Sequence, residues 1–134
     1  MVILDTSVAL SWCFEDELTE QTQKILEYVE KHGAMVPSLW QLEVTNALWS
    51  SIRRKRLDLE KSRSYLALFQ ALPIKILEKS YDMTSLLDIA CATGLTTYDT
   101  TYLVLALEHH LPLATLDIAL QKVAQDKGVI IFKS

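Results

Sequence analysis

Residues 1–10 read Met1-Val2-Ile3-Leu4-Asp5-Thr6-Ser7-Val8-Ala9-Leu10. Three consecutive apolar residues, Val2, Ile3 and Leu4, run into a single carboxylate at Asp5, and two helix-capping residue types, Thr6 and Ser7, follow at once. An unbroken apolar run this short suits a strand buried on both faces, as the central strand of a parallel sheet is. Asp5 then stands where the strand ends. In open α/β sheets the crevice outside the carboxyl ends of the strands holds ligands, so Asp5 is the first candidate functional group of the chain.

The same alternation continues outward. Leu18, Thr22, Ile25, Leu26 and Val29 share one helical face and Gly33 follows, which predicts a helix over residues 17–32. Ala34, Met35 and Val36, closed by Pro37, read as a second strand. Leu39, Leu42, Trp49 and Ile52, with Thr45 in line, form the apolar stripe of a helix reaching residue 56, and Glu43 lies off that stripe with Asn46, Ala47 and Ser50. Asp58 opens a helix through Leu72 whose centre, residues 65–69, is apolar nearly all round and calls for cover on both sides, from the domain itself or from a partner. Ile74, Ile76 and Leu77 form a third strand, and a helix over residues 80–93 stops at Gly94. Leu95-Thr96-Thr97 is a brief β-prone segment, after which Tyr98 and Asp99 open a helix carrying Tyr102, Leu103, Ala106 and Leu107. Leu113-Ala114-Thr115 is a fourth strand, Asp117 begins the final helix, Gly128 stops it, and Val129 to Phe132 read as a last strand. The fold class is α/β: a mostly parallel central sheet flanked by helices, reached through right-handed crossovers.

The chain has 134 residues, half of them hydrophobic, the size of a single domain spanning 1–134. No apolar run approaches the length of a membrane span and no signal-like stretch precedes Asp5, which predicts a cytoplasmic protein without membrane contact. Cys13 and Cys91 are far apart with no second pair and no His at ligand spacing, so neither a zinc site nor a disulfide framework is indicated and buried free thiols are expected. A net charge of −4 gives no whole-protein attraction to phosphate, though it leaves room for a local contact and suits carboxylates gathered round a divalent cation.

The positions of the acids carry the functional reading. Asp5 follows the first strand, Asp117 the fourth, Asp99 a β-prone segment, and Glu43 lies in the helix after the second strand. If the strands are parallel, these ends open on one side and the acids converge. Converging carboxylates repel, and a divalent cation resolves the repulsion; ligands that are all oxygen suit Mg²⁺ or Mn²⁺ rather than zinc. The chemistry that follows is metal-assisted phosphodiester hydrolysis, with one or two ions. The competing reading of each aspartate, taken singly, is a helix N-cap.

These pieces resemble the PIN-domain nucleases, and within them the VapC toxins of toxin-antitoxin pairs. The matching residues are Leu4-Asp5-Thr6-Ser7-Val8, Pro37-Ser38-Leu39 through Glu43 and Asn46, Tyr98-Asp99-Thr100-Thr101-Tyr102-Leu103 with Leu105-Ala106, Pro112-Leu113-Ala114-Thr115-Leu116-Asp117, and Gly128-Val129 through Phe132. The resemblance implies that Asp5, Glu43, Asp99 and Asp117 are the catalytic, metal-binding acids, with the hydroxyls of Thr6 and Thr115 near the metals and Asn46 facing the site. It further implies an Mg²⁺- or Mn²⁺-dependent endoribonuclease acting on RNA as a toxin, usually a homodimer, held inactive by a cognate antitoxin.

The dense basic run Arg53-Arg54-Lys55-Arg56 either contacts RNA or a partner's carboxylates, or is the solvated end of its helix. His109 and His110 sit at a helix end, where the macrodipole accommodates them without a catalytic role. Trp12, Trp40 and Trp49 read as core or interface residues, Trp49 because it shares the apolar stripe of its helix. Two functions of other classes compete: a binding module of the same fold without catalysis, and a phosphoacceptor or phosphotransferase domain. The second calls for a further acid beside the first Asp, where this chain has Thr6 and Ser7.

Overall fold

A computed structural model describes residues 1–133; the expected domain 1–134 extends to Ser134, which lies outside the described residues. Strands β1 (Val2–Leu4), β2 (Ala34–Pro37), β3 (Ile74–Leu77) and β4 (Leu113–Ala114) form one sheet in the order β3-β2-β1-β4, every neighbouring pair parallel. The helices are α1 (Thr6–Ser11), α2 (Glu20–His32), α3 (Leu39–Arg53), α4 (Leu59–Ala71), α5 (Met83–Thr93), α6 (Thr97–His109) and α7 (Ile118–Asp126). β1 is central, and Val2, Ile3 and Leu4 are each 0% exposed, as a two-sided apolar run requires. Leu4 pairs with Ala114, so Asp5 and Thr115 leave the sheet side by side.

Local chemistry sets the helix starts. Thr19 and Thr22 form a reciprocal capping box, so α2 begins at Glu20 rather than at residue 17. Asp58 accepts from the Lys61 backbone N–H at 2.6 Å and starts α4 where expected. α6 packs against β1, β2 and α5, and Thr100 to Leu103, Leu105 and Ala106 are all buried. The core closes on an aromatic group in which Phe69 of α4 lies 6.3 Å from Trp12 and 5.9 Å, edge-on, from Trp40.

Several expectations are corrected. The buried face of α3 is Trp40, Val44, Leu48 and Ser51, while Leu42 and Trp49 are 69% and 55% exposed. Trp49 is therefore no core residue; the Arg53 guanidinium covers its ring at 4.7 Å. Residues 95–97 form no strand, because the Thr96 hydroxyl accepts from the Asp99 backbone N–H at 3.1 Å and caps α6 instead. The expected last strand reduces to one bridge between Leu113 and Ile131, since β4 offers only two residues to pair with. Cys13 is buried as expected, but Cys91 on α5 is exposed. On α4, Phe69 is buried and Tyr65 and Leu66 pack on the core, whereas Leu59 and Leu68 face outward, so this chain covers the helix on one side.

Gly33 ends α2 at φ +81°, and a Cβ built there would stand 3.0 Å from the Pro73 carbonyl oxygen. A backbone atom cannot turn aside as a side chain can, and the conformation itself is essentially restricted to glycine. Gly33→Ala is expected to cost about 1–3 kcal/mol, read as a melting temperature lowered by several degrees.

Candidate active site

Four acids from four separate segments share one neighbourhood at the carboxyl edge of the sheet. Asp5 follows β1, Glu43 lies in α3, Asp99 in the first turn of α6, and Asp117 caps α7 just beyond β4. Asp99 thus arrives from a helix turn rather than from a strand end.

Asp5 is 6% exposed, and its Oδ2 accepts hydrogen bonds from Thr115 Oγ1 at 2.6 Å and Ser7 Oγ at 2.7 Å. Both hydroxyls are fixed in turn: Thr115 Oγ1 accepts from the Asp117 backbone N–H at 3.1 Å and Ser7 Oγ from that of Leu116 at 3.0 Å. Although Asp5 is the N-cap residue of α1 by position, its side chain makes no capping bond. Asp117 does cap, accepting from the Leu120 backbone N–H at 3.2 Å through one oxygen.

Glu43 is held in the same manner. Its Oε1 accepts from Thr6 Oγ1 at 2.9 Å and from Tyr102 Oη at 2.5 Å, and the two hydroxyl oxygens lie 2.9 Å apart. In each carboxylate two hydroxyls converge on one oxygen and leave the other unused by them. Ser7 and Tyr102 are the members of this constellation that sequence reasoning missed. A signal existed for Tyr102: it lies three residues after Asp99, on the same side of one helix.

Burial raises the pKa of Asp5; the Thr115 and Ser7 hydrogen bonds oppose the rise and the charge of Asp117 adds to it. Asp99 is raised by burial, then by the charges of Asp5 and Asp117 and, less, of Glu43. The four acids therefore sit in one another's field. The ion pairs seen among the described residues join Lys24 to Glu20, Arg56 to Asp16 and Glu17, and Lys79 to Glu108, and none of these involves the four acids.

A profile of the PIN domain family matches residues 2–126. The chain belongs to the PIN domain family. PIN domains are generally nucleases that use divalent metal ions. Among solved structures, the PIN fold seen here is similar to PAE2754 from Pyrobaculum aerophilum, 24% identical, with a TM-score of 0.72 over 97% of this chain and 87% of that one. It is also similar to VapBC2 from Rickettsia felis bound to a DNA fragment from their promoter, 18% identical, with a TM-score of 0.70 over 98% of both chains. No curated protein matches the chain by sequence.

The donor set of this PIN domain fits a hard divalent cation: carboxylates and hydroxyls, acids that lie in one another's field, and carboxylate oxygens that the hydroxyls do not occupy. Among the described residues no three ligating groups close round a common point. Asn46 is exposed on α3 and lines a recess with Glu43.

The other candidates lie elsewhere. Arg53 is ten residues beyond Glu43, about 15 Å along the helix axis. Arg56 is occupied by Asp16 and Glu17, each at 3.5 Å, and by the Phe14 ring at 4.2 Å. Within the run, Arg54 and Lys55 are exposed. His109 and His110 lie at the end of α6 opposite Asp99.

Proposed function

We propose that this chain is a single-domain endoribonuclease dependent on Mg²⁺ or Mn²⁺ and the toxin of a toxin-antitoxin pair, with Asp5, Glu43, Asp99 and Asp117 as metal-binding acids. The observation that carries the reading is the meeting of four acids from four segments, two of them each held through one oxygen by a pair of hydroxyls. A protein keeps so costly an arrangement where it binds a cation.

In this reading Thr6 and Tyr102 orient Glu43, while Thr115 and Ser7 orient Asp5, and the carboxylate oxygens these hydroxyls do not bond would hold the cation. Asp99 and Asp117 add their charge to the same neighbourhood. A bound Mg²⁺ or Mn²⁺ supplies an activated water and stabilises the leaving oxygen. The choice of RNA, a cytoplasmic location, a homodimeric state and a cognate antitoxin follow from the resemblance to VapC toxins. Exposed Trp49 on α3 and Met83 and Leu87 on α5 offer apolar contacts for such partners. No helix of the described residues is long and apolar enough to cross a membrane.

The test is cleavage of matched RNA and DNA single strands by protein purified free of antitoxin. RNA cleavage with Mg²⁺ or Mn²⁺ and none in chelator is the expected result. Cleavage of DNA alone would overturn the substrate, and cleavage in chelator the metal dependence.

A further inference from the structure

A recess of about 320 Å³ adjoins the acids, lined by Leu39, Leu42, Glu43 and Asn46 of α3 and by Tyr98 of α6. Glu43 belongs both to the recess and to the acid group, and Tyr98 directly precedes Asp99 in the first turn of α6. Whatever fills the recess therefore lies against the groups that act on the phosphate. Tyr98 is 60% exposed, and the aromatic contacts among the described residues involve other rings. An exposed, uncommitted aromatic at the mouth of a catalytic site is not accounted for by packing.

Resting on the ribonuclease reading, we propose that the recess receives the base of an unpaired nucleotide flanking the cleaved phosphate, with the Tyr98 ring as its stacking platform and the Asn46 amide at its edge. The volume lies at the small end of the range for ligand pockets, about 300–1,000 Å³, and suits one flat ring system. Leu39 and Leu42 give apolar walls that suit a base and that a phosphate would avoid. Every base offers a π-face, and an amide both donates and accepts, so the recess holds a base without dictating which. A base inside a duplex cannot enter it.

The experiment measures kcat/KM with Mg²⁺ for wild type, Tyr98→Phe and Tyr98→Ala on a single-stranded oligoribonucleotide whose cleavage position has been mapped. Each protein is also assayed on copies carrying one abasic residue at each flanking position. Tyr98→Ala is expected to lose about 5- to 150-fold, the range for one base-aromatic stack, and Tyr98→Phe less than about twofold. One abasic position should cost the wild type a similar factor and cost Tyr98→Ala nothing further. Melting curves of the exposed-site variants should match wild type.

The proposal is overturned if Tyr98→Ala cleaves as wild type does, or if the abasic loss is equal in both proteins. It is also overturned if the loss tracks a change in oligomeric mass, which would assign the recess to a protein interface. A wild type that cleaves no RNA ends the ribonuclease reading and this inference with it. A wild type that cleaves while Tyr98→Ala is unaffected ends this inference alone.

Discussion

Asp5→Asn is expected to lower RNA cleavage by about 10²- to 10³-fold or more, while raising the melting temperature of the metal-free protein near neutral pH. The asparagine carbonyl still accepts from Thr115 and Ser7, whose hydroxyls meet a single oxygen of Asp5 at 2.6 and 2.7 Å, so the local geometry survives and only the charge is lost. That charge is unfavourable in the folded chain. Burial first, and then the charge of Asp117, raise the Asp5 pKa above its ordinary value, and Asp99 is raised by burial and by its acidic neighbours. A carboxyl raised on folding contributes its full stability below the unfolded pKa and loses it as pH rises through the folded one. The advantage of Asp5→Asn over wild type in chelator should accordingly grow as the pH rises above about 4, as melting curves at increasing pH will show. Asp5→Ala should behave differently. It strands two hydroxyls inside the fold, and stability falls along with activity.

Tyr102→Phe is expected to weaken Mn²⁺ binding and cleavage together by about 10- to 100-fold. Tyr102 is 0% exposed, and its ring fills a fixed place in α6 that phenylalanine fills equally. What disappears is one of two hydroxyls on Glu43 Oε1, the closer at 2.5 Å; Thr6 remains at 2.9 Å. With one donor left, the Glu43 carboxylate is free to rotate and its other oxygen no longer holds a fixed place. The stability loss should stay near the worth of one hydrogen bond to a charged group, about 1.5–3 kcal/mol. Mn²⁺ titration separates positioning from packing, because a purely structural Tyr102 would lower the melting temperature and leave Mn²⁺ affinity unchanged. Tyr102→Leu provides the contrast, since it also removes the buried ring and should lose more stability than Tyr102→Phe.

Much of this architecture is legible in the chain. An apolar triplet ending in Asp5, a strand closed by Pro37, and Leu113-Ala114 running to Asp117 each declare a strand and what stands at its end. Parallel pairing then brings Asp5 and Asp117 to one edge. The face of α3 was not legible. That helix carries two apolar stripes, one through Leu42 and Trp49 and another through Trp40, Val44 and Leu48, and periodicity alone cannot say which turns inward. Residues 95–97 have strand propensity, but a single hydroxyl, that of Thr96, commits them to a helix cap. Val129 to Phe132 have the composition of a strand, yet Ile130 is 73% exposed because β4 provides only one bridge. The hydroxyl pairs that hold the acids were hidden for a different reason. Tyr102 reaches Glu43 across 59 residues and Thr115 reaches Asp5 across 110, distances over which only the folded chain reports who meets whom.

The most direct test of the site pairs melting curves with RNA cleavage for wild type and Asp5→Asn, each in chelator and again with Mg²⁺ or Mn²⁺. The metal should raise the melting temperature of wild type and switch on its cleavage, while doing neither for Asp5→Asn. If the metal changes neither property of wild type and the substitution is silent, the four acids do not form a metal site, and the chain is not a metal-dependent nuclease.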